Sequence, residues 1–129
     1  MDFASFLSTY YGKQKAMEFE KLFTAHLLIA ADLVNAAKNG NSAEVEVQRK
    51  KWYANGEEIA TFLSRINPYW DKAVWRDMFF MHLDMTEKEA VQILTKQYEK
   101  SIEQYDAIEE EALRMADYMA FGLISQFKI

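Results

Sequence analysis

The sequence contains no cysteine. Disulfides, zinc–thiolate centres and thiol nucleophiles are therefore excluded, and a reducing, cytoplasmic setting is the natural expectation. There is one proline and there are four glycines in 129 residues. So few chain breakers favour long helices and disfavour a many-turned β-sandwich or barrel. Four scattered glycines also cannot build a phosphate-cradling loop. No stretch approaches the ~20 apolar residues that a membrane helix needs. The nearest, Leu27 to Ala31, is flanked by His26 and Asp32. Met1 to Tyr11 has neither a basic leader nor a long apolar run, so it does not read as a signal peptide. Acidic residues outnumber basic ones, 20 to 15. The formal net charge is −5, which repels a phosphate backbone and argues against nucleic acid as a partner. No serine lies in a nucleophile elbow and neither histidine has an evident serine partner. The two-histidine zinc-protease motif and the Glu-x-x-His spacing of di-iron bundles are absent as well. No catalytic residue is assigned, an enzyme is not the favoured expectation, and no organic cofactor is expected.

What is present is apolar. Half of the residues are hydrophobic and 15% are aromatic, enough to build a core within one domain spanning 1–129. Phe3, Phe6, Leu7, Tyr10 and Tyr11 recur at helical spacing, so Asp2 to Tyr11 is expected to be a short helix or ordered arm ending near Gly12. A first main helix is expected from about Lys13 to Lys38. Its face is Phe19, Leu22, Phe23, His26, Ile29, Ala30, Leu33 and Ala37, and Asn39-Gly40 ends it. A second runs from about Ser42 to Ile66, opened by Asn41 with Glu44 as a capping box. Val45, Trp52, Ile59, Phe62, Leu63 and Ile66 form its apolar face, whose period continues across Asn55-Gly56.

Asn67-Pro68 marks a corner. A third helix is expected over about Pro68 to Asp84, and Met78 to Met81 make it apolar on every side, so it must be covered all round. Thr86 with Glu89 would open a fourth helix running unbroken to about Gln126, roughly 60 Å long. Its stripe reads Val91, Leu94, Tyr98, Ile102, Tyr105, Glu109, Ala112, Ala116, Met119 and Leu123. The prediction is an all-α fold, an antiparallel helical bundle of four main helices with a long C-terminal helix. One end of that helix should project and offer a dimerisation surface. Phe19, Leu22, Phe23, His26 and Leu27 also align, 56 residues on, with Trp75, Met78, Phe79, His82 and Leu83. That would make the two hairpins duplicates.

A few polar residues interrupt these apolar faces. His26 lies in its stripe between Phe23 and Ala30, and His82 follows Trp75 and Met78. Imidazole binds metals and moves protons near neutral pH; the ordinary alternative is a core histidine bonded to a nearby polar group. His26 is 14 residues before Gly40 and Asn55 is 15 after it, so a hairpin brings them to one height. His26, Asn55, Trp52 and Trp75 are the candidate ligand-binding residues, the indoles being able to line a pocket for a flat molecule as well as to anchor a core. Glu109 on the fourth stripe and Glu58 beside the second would add oxygen ligands. His26, His82, Glu58 and Glu109 are accordingly the candidate ligands of a divalent metal. The competing explanation is a solvated acidic run, with Glu110 and Glu111 paired to Arg114.

Six segments together resemble a group of small uncharacterised bacterial proteins, found mainly in spore-forming Gram-positive species. They are Leu22 with His26-Leu27-Leu28-Ile29-Ala30, Leu33-Val34, Trp52-Tyr53-Ala54-Asn55, Asn67-Pro68-Tyr69-Trp70, Tyr105-Asp106-x-Ile108-Glu109 and Met115-Ala116-Asp117. The likeness extends over nearly the whole chain. Some members carry the label acetylglutamate kinase, whereas this chain lacks a phosphate loop and is too short for that kinase domain. The resemblance therefore implies a helical fold and no settled activity. Members of the group have a further N-terminal helix, also with a histidine, ahead of where this chain begins. If such a helix belongs to the bundle, the likeness implies that this chain covers the exposed face another way, for example by dimerising. The leading functional expectation is a non-catalytic, self-associating helical protein, a homodimer by preference. The alternative is a small-ligand or metal-binding bundle with a polar site in its core.

Overall fold

The computed structural model describes residues 3–129. Met1 and Asp2, where the expected N-terminal arm begins, lie outside the described residues. Five helices account for nearly all of the rest: α1 (Phe3–Tyr11), α2 (Lys13–Lys38), α3 (Ser42–Ile66), α4 (Lys72–Leu94) and α5 (Tyr98–Phe127). There is no strand among the described residues. None of the helices is long and apolar enough to cross a membrane.

The first half follows the sequence expectations closely. Gly12 turns the chain from α1 into α2 with φ of 88°, and Gly40 ends α2 with φ of 69°, conformations that side-chain-bearing residues rarely adopt. The Asn41 side chain caps α3 by accepting from the Glu44 amide at 3.1 Å. Glu44 does not return the bond; its carboxylate accepts from Gln48 Nε2 instead. Asn55-Gly56 leaves α3 unbroken. A Cβ on Gly56 would lie 3.4 Å from the Leu83 side chain, so α4 packs directly against this position.

The second half departs from expectation. The third helix does not begin at Pro68. Asp71 caps it, its side chain accepting from Val74 N at 3.0 Å. Nor does it stop at Asp84. Thr86 is no cap, because its hydroxyl donates to the His82 carbonyl one turn back, a bond that a threonine inside a helix makes readily. Helix α4 continues to Leu94, and the turn falls at Thr95–Gln97. There Lys96 takes φ of 61° and Gln97 N donates to Gln92 O at 2.7 Å. The stop rests on a lysine in the left-handed region where glycine is usual, so the breaker pattern misplaces it. The long fourth helix is accordingly shorter than expected, with 30 residues or about 45 Å.

Helix α2 packs along α3, α3 along α4, and α4 along α5, while α1 lies on α2. Helix α5 does not pack along α2 or α3. The main core gathers Leu7, Phe19, Phe62, Leu63, Trp70, Trp75 and Leu123 at the end where α1, the α3–α4 corner and the end of α5 meet. A second, smaller cluster of Leu33, Trp52 and Leu83 lies at the other end. The corner Asn67-Pro68-Tyr69-Trp70 buries Trp70 but leaves Tyr69 exposed. The Met78–Met81 run is not covered all round: Met78, Phe79 and Phe80 are half-buried and Met81 is exposed.

Candidate functional site

His26 and Asn55 meet. His26 Nδ1 lies 2.7 Å from Asn55 Oδ1, and Asn55 Nδ2 donates to the Leu22 carbonyl at 3.0 Å. The second bond orients the amide, because a carbonyl only accepts. The amide oxygen therefore faces the ring, so His26 carries its proton on Nδ1. Its Nε2 is left with a free lone pair. The imidazole is also clamped by rings: Phe23 stacks at 6.5 Å and Trp52 at 5.4 Å between centroids. One helical turn spaces Phe23 from His26, and the α2–α3 hairpin supplies Trp52 and Asn55.

His82 approaches from α4. A charge on His26 is felt at His82, and the two effects that hold the His82 pKa below its usual value are burial first and that neighbouring charge second. Burial also lowers the pKa of His26, opposed by its bond to Asn55. Both rings are thus held neutral at physiological pH. His82 Nδ1 and the indole Nε1 of Trp52 are buried without a hydrogen-bond partner, and a buried polar atom left so costs about 1–3 kcal/mol. Trp52 is 3% exposed. Among the described residues no carboxylate or hydroxyl is hydrogen-bonded to either imidazole ring.

The other candidate residues stand elsewhere. Trp75 is buried in the main core against Trp70, Phe79 and Tyr118. Glu58 is exposed and lines an open groove of about 730 Å³ along α2 and α3 that Leu22 and Asn55 also line, but it makes no hydrogen bond to Asn55 or His26. Glu109 is exposed on α5. Glu111, two positions on, is the buried carboxylate, 4% exposed and 3.7 Å from Arg114, which also pairs with Glu110. Among the described residues no three His, Asp or Glu side chains are gathered to hold a metal. The candidate set thus divides into His26, Asn55 and Trp52, which come together, His82, which is linked to them only through the effect of the His26 charge, and Trp75, Glu58 and Glu109, which make no bond to either histidine.

A second feature is larger. Most of the fourth apolar stripe points away from the chain. Ile102 is 65% exposed and Tyr105 is 56% exposed, and Tyr98 and Leu113 are exposed with them. The side of α5 that meets α4 instead carries Ser101, Gln104 and Glu111. On α2, Phe23, Leu27 and Val34 form a further exposed apolar row at helical spacing, beside His26. Leu27 is 55% exposed, whereas Leu83, its counterpart in the internal similarity, is fully buried. Periodicity marked the α5 stripe as a face to be buried, and the structure leaves most of it exposed. The period carried no information about which surface does the burying.

Comparison with known proteins brings no match: no family model fits the chain, and no curated protein or solved structure is significantly similar to it.

Proposed function

We propose that this chain is a non-catalytic, self-associating helical protein, and that a second copy covers the exposed apolar faces of α2 and α5. The observation that carries the reading is the outward-facing stripe of α5. A side that sequence periodicity marks for burial stands open, while Ser101 and Glu111 occupy the side against α4. The total surface supports it. The chain exposes 8117 Å² at a mass of 15.1 kDa, whereas a compact monomer of that mass exposes about 7,100 Å². The excess of roughly 1,000 Å² is of the size that one partner buries in a standard interface, about 800 Å². Apolar rows at helical spacing fit a symmetric pairing in which each copy offers the same surface.

In this reading α2 to α5 form an antiparallel four-helix array left open between α2 and α5, and pairing closes it. The setting is cytoplasmic, as the absence of cysteine suggests, and the negative charge disfavours nucleic acid as the partner. Membership of the spore-former group named above is part of the same proposal and rests on the residues quoted there. The alternative, a ligand- or metal-binding bundle, is favoured by one observation, the oriented His26 ring beside unpartnered His82 Nδ1.

The test places charge on each face. Leu27→Glu and Ile102→Glu both alter exposed positions, so helix content by circular dichroism should be unchanged. Sedimentation velocity should show each variant shifted toward monomer by at least tenfold in dissociation constant, about 1.4 kcal/mol. Variants that associate as the parent chain does would remove these faces from the interface.

A further inference from the structure

We infer that α5 of one copy seats on α2 of a second copy in the way that α3 seats on α4 within the chain. The inference rests on the self-association proposed above and names the two surfaces that meet.

The internal similarity at a spacing of 56 residues extends from the sequence into the backbone. Helix α2 ends at Lys38 and α4 at Leu94, while α3 starts at Ser42 and α5 at Tyr98, so both boundaries keep that spacing. The two turns share one geometry. Gly40 takes φ of 69° and Lys96 takes φ of 61°. Gly40 N donates to Ala37 O and Lys96 N to Ile93 O, each at 3.1 Å. Asn41 N donates to Ala36 O and Gln97 N to Gln92 O. This is the paired hydrogen-bond pattern that ends a helix on a left-handed residue. The α2–α3 and α4–α5 hairpins thus correspond residue for residue, α2 with α4 and α3 with α5. In stacked repeats each unit meets its neighbour through the same pair of faces, so a contact made by one unit indicates what the matching face of the other is built to meet.

Helix α4 covers one face of α3. Arg49 Nε donates to Glu87 at 3.0 Å, and the rings of Tyr53 and Phe80 lie 4.9 Å apart. A Cβ on Gly56 would lie 3.4 Å from the Leu83 side chain and 3.9 Å from that of Phe79. The counterparts of Arg49, Tyr53 and Gly56 on α5 are Tyr105, Glu109 and Ala112, and all three are exposed. The counterparts of Phe79, Phe80, Leu83 and Glu87 on α2 are Phe23, Thr24, Leu27 and Ala31, and all four are exposed. The two bare faces are therefore the two sides of one repeated contact. Helix α5 does not pack along α2 of its own chain, so a second copy supplies the missing side.

The side chains suit this pairing. The Cβ of Ala112 takes the place of the one that Gly56 lacks, at ordinary contact distance from a leucine. The Thr24 hydroxyl offers a donor to the Glu109 carboxylate. Pairing α5 with α5 is disfavoured by charge. From Tyr98 to Asp117 this helix carries seven acidic and two basic residues, whereas α2 from Lys21 to Lys38 carries one acidic and two basic. Like charges brought face to face oppose association.

The full chain has no cysteine, so single cysteines report contacts cleanly. Leu27→Cys and Ala112→Cys are mixed and treated with a short bismaleimide, with Lys51→Cys, off both faces, as the control. The expected result is efficient cross-linking in the mixture and control-level cross-linking of either variant alone. Ala112→Trp, at an exposed position, should keep its helix content and associate at least tenfold more weakly by sedimentation velocity. Self-linking of Ala112→Cys, a mixture no better linked than the control, or undiminished association of Ala112→Trp would overturn the inference. Any of these in a parent chain that sediments as a dimer overturns it alone. A parent chain that sediments as a monomer removes the self-association and this inference with it.

Discussion

The two halves of α5 obey the same sequence period and meet different fates. Toward its end the helix is locked into the corner. Leu123 is buried, and Gln126 accepts from the Tyr11 hydroxyl at 2.8 Å while donating to the Ile66 carbonyl at 3.1 Å. Asn67 completes that network by donating to Tyr11 and accepting from Tyr69 N, so its buried amide is paired on both sides. Gly122 lies under Trp70, whose indole donates to the Tyr118 carbonyl at 3.2 Å. Toward its start the same helix buries Ser101 and Glu111 and leaves Tyr98, Ile102 and Tyr105 exposed. In one half the apolar period finds its partner within the chain. In the other it does not, and the face stays exposed, which is what the proposed self-association would cover.

Gly122→Ala should break the closed half with the largest effect. A Cβ there would fall 1.9 Å from Trp70 Nε1, displacing the indole and its bond. Overpacking on that scale costs about 3 kcal/mol, and thermal unfolding should fall by roughly 10 °C. An unchanged midpoint would mean that Trp70 does not hold the corner.

Acid should act away from that corner, on the two histidines, with a smaller effect. Both have folded-state pKa values below the ordinary value of 6.5, burial being the first cause in each. The unfolded chain therefore takes up protons before the folded chain does. Stability is full above about pH 6.5 and is lost as pH falls from there through the folded pKa values. Urea unfolding at pH 7.5 and 5.5 should show the loss, and His26→Gln with His82→Gln should reduce it. An equal loss in that variant would assign the acid sensitivity to other groups.

Glu111→Leu sharpens the comparison from the open half and should have the smallest effect, of opposite sign. The carboxylate is almost wholly buried against α4, with only a 3.7 Å pair to Arg114. Replacing a poorly paired buried charge by a hydrophobic group of similar size is neutral or stabilising, here by about 1 kcal/mol. A loss of that size instead would show that Glu111 has a role its pairing does not reveal.

Much of this fold is legible in the chain. The caps at Gly40 and Asn41, the hairpin of α2 and α3 and the meeting of His26 with Asn55 all follow from spacing and from residues with one strong conformational preference. The turn at Thr95–Gln97 was not legible. It rests on Lys96 in a left-handed conformation that glycine usually signals, and Thr86-x-x-Glu89 imitates a helix start inside a helix. The candidate site divides on the same ground. Residues one turn apart or at matched hairpin height come together. Glu109 was placed by a stripe whose covering surface the period cannot identify, and Glu58 faces solvent on α3.

The central claim is that the open half of α5 is covered by a second copy. Sedimentation equilibrium of the unmodified chain, in chelator at tens of micromolar, tests it most directly. The account predicts a mass of two chains. A single-chain mass across that range would contradict it.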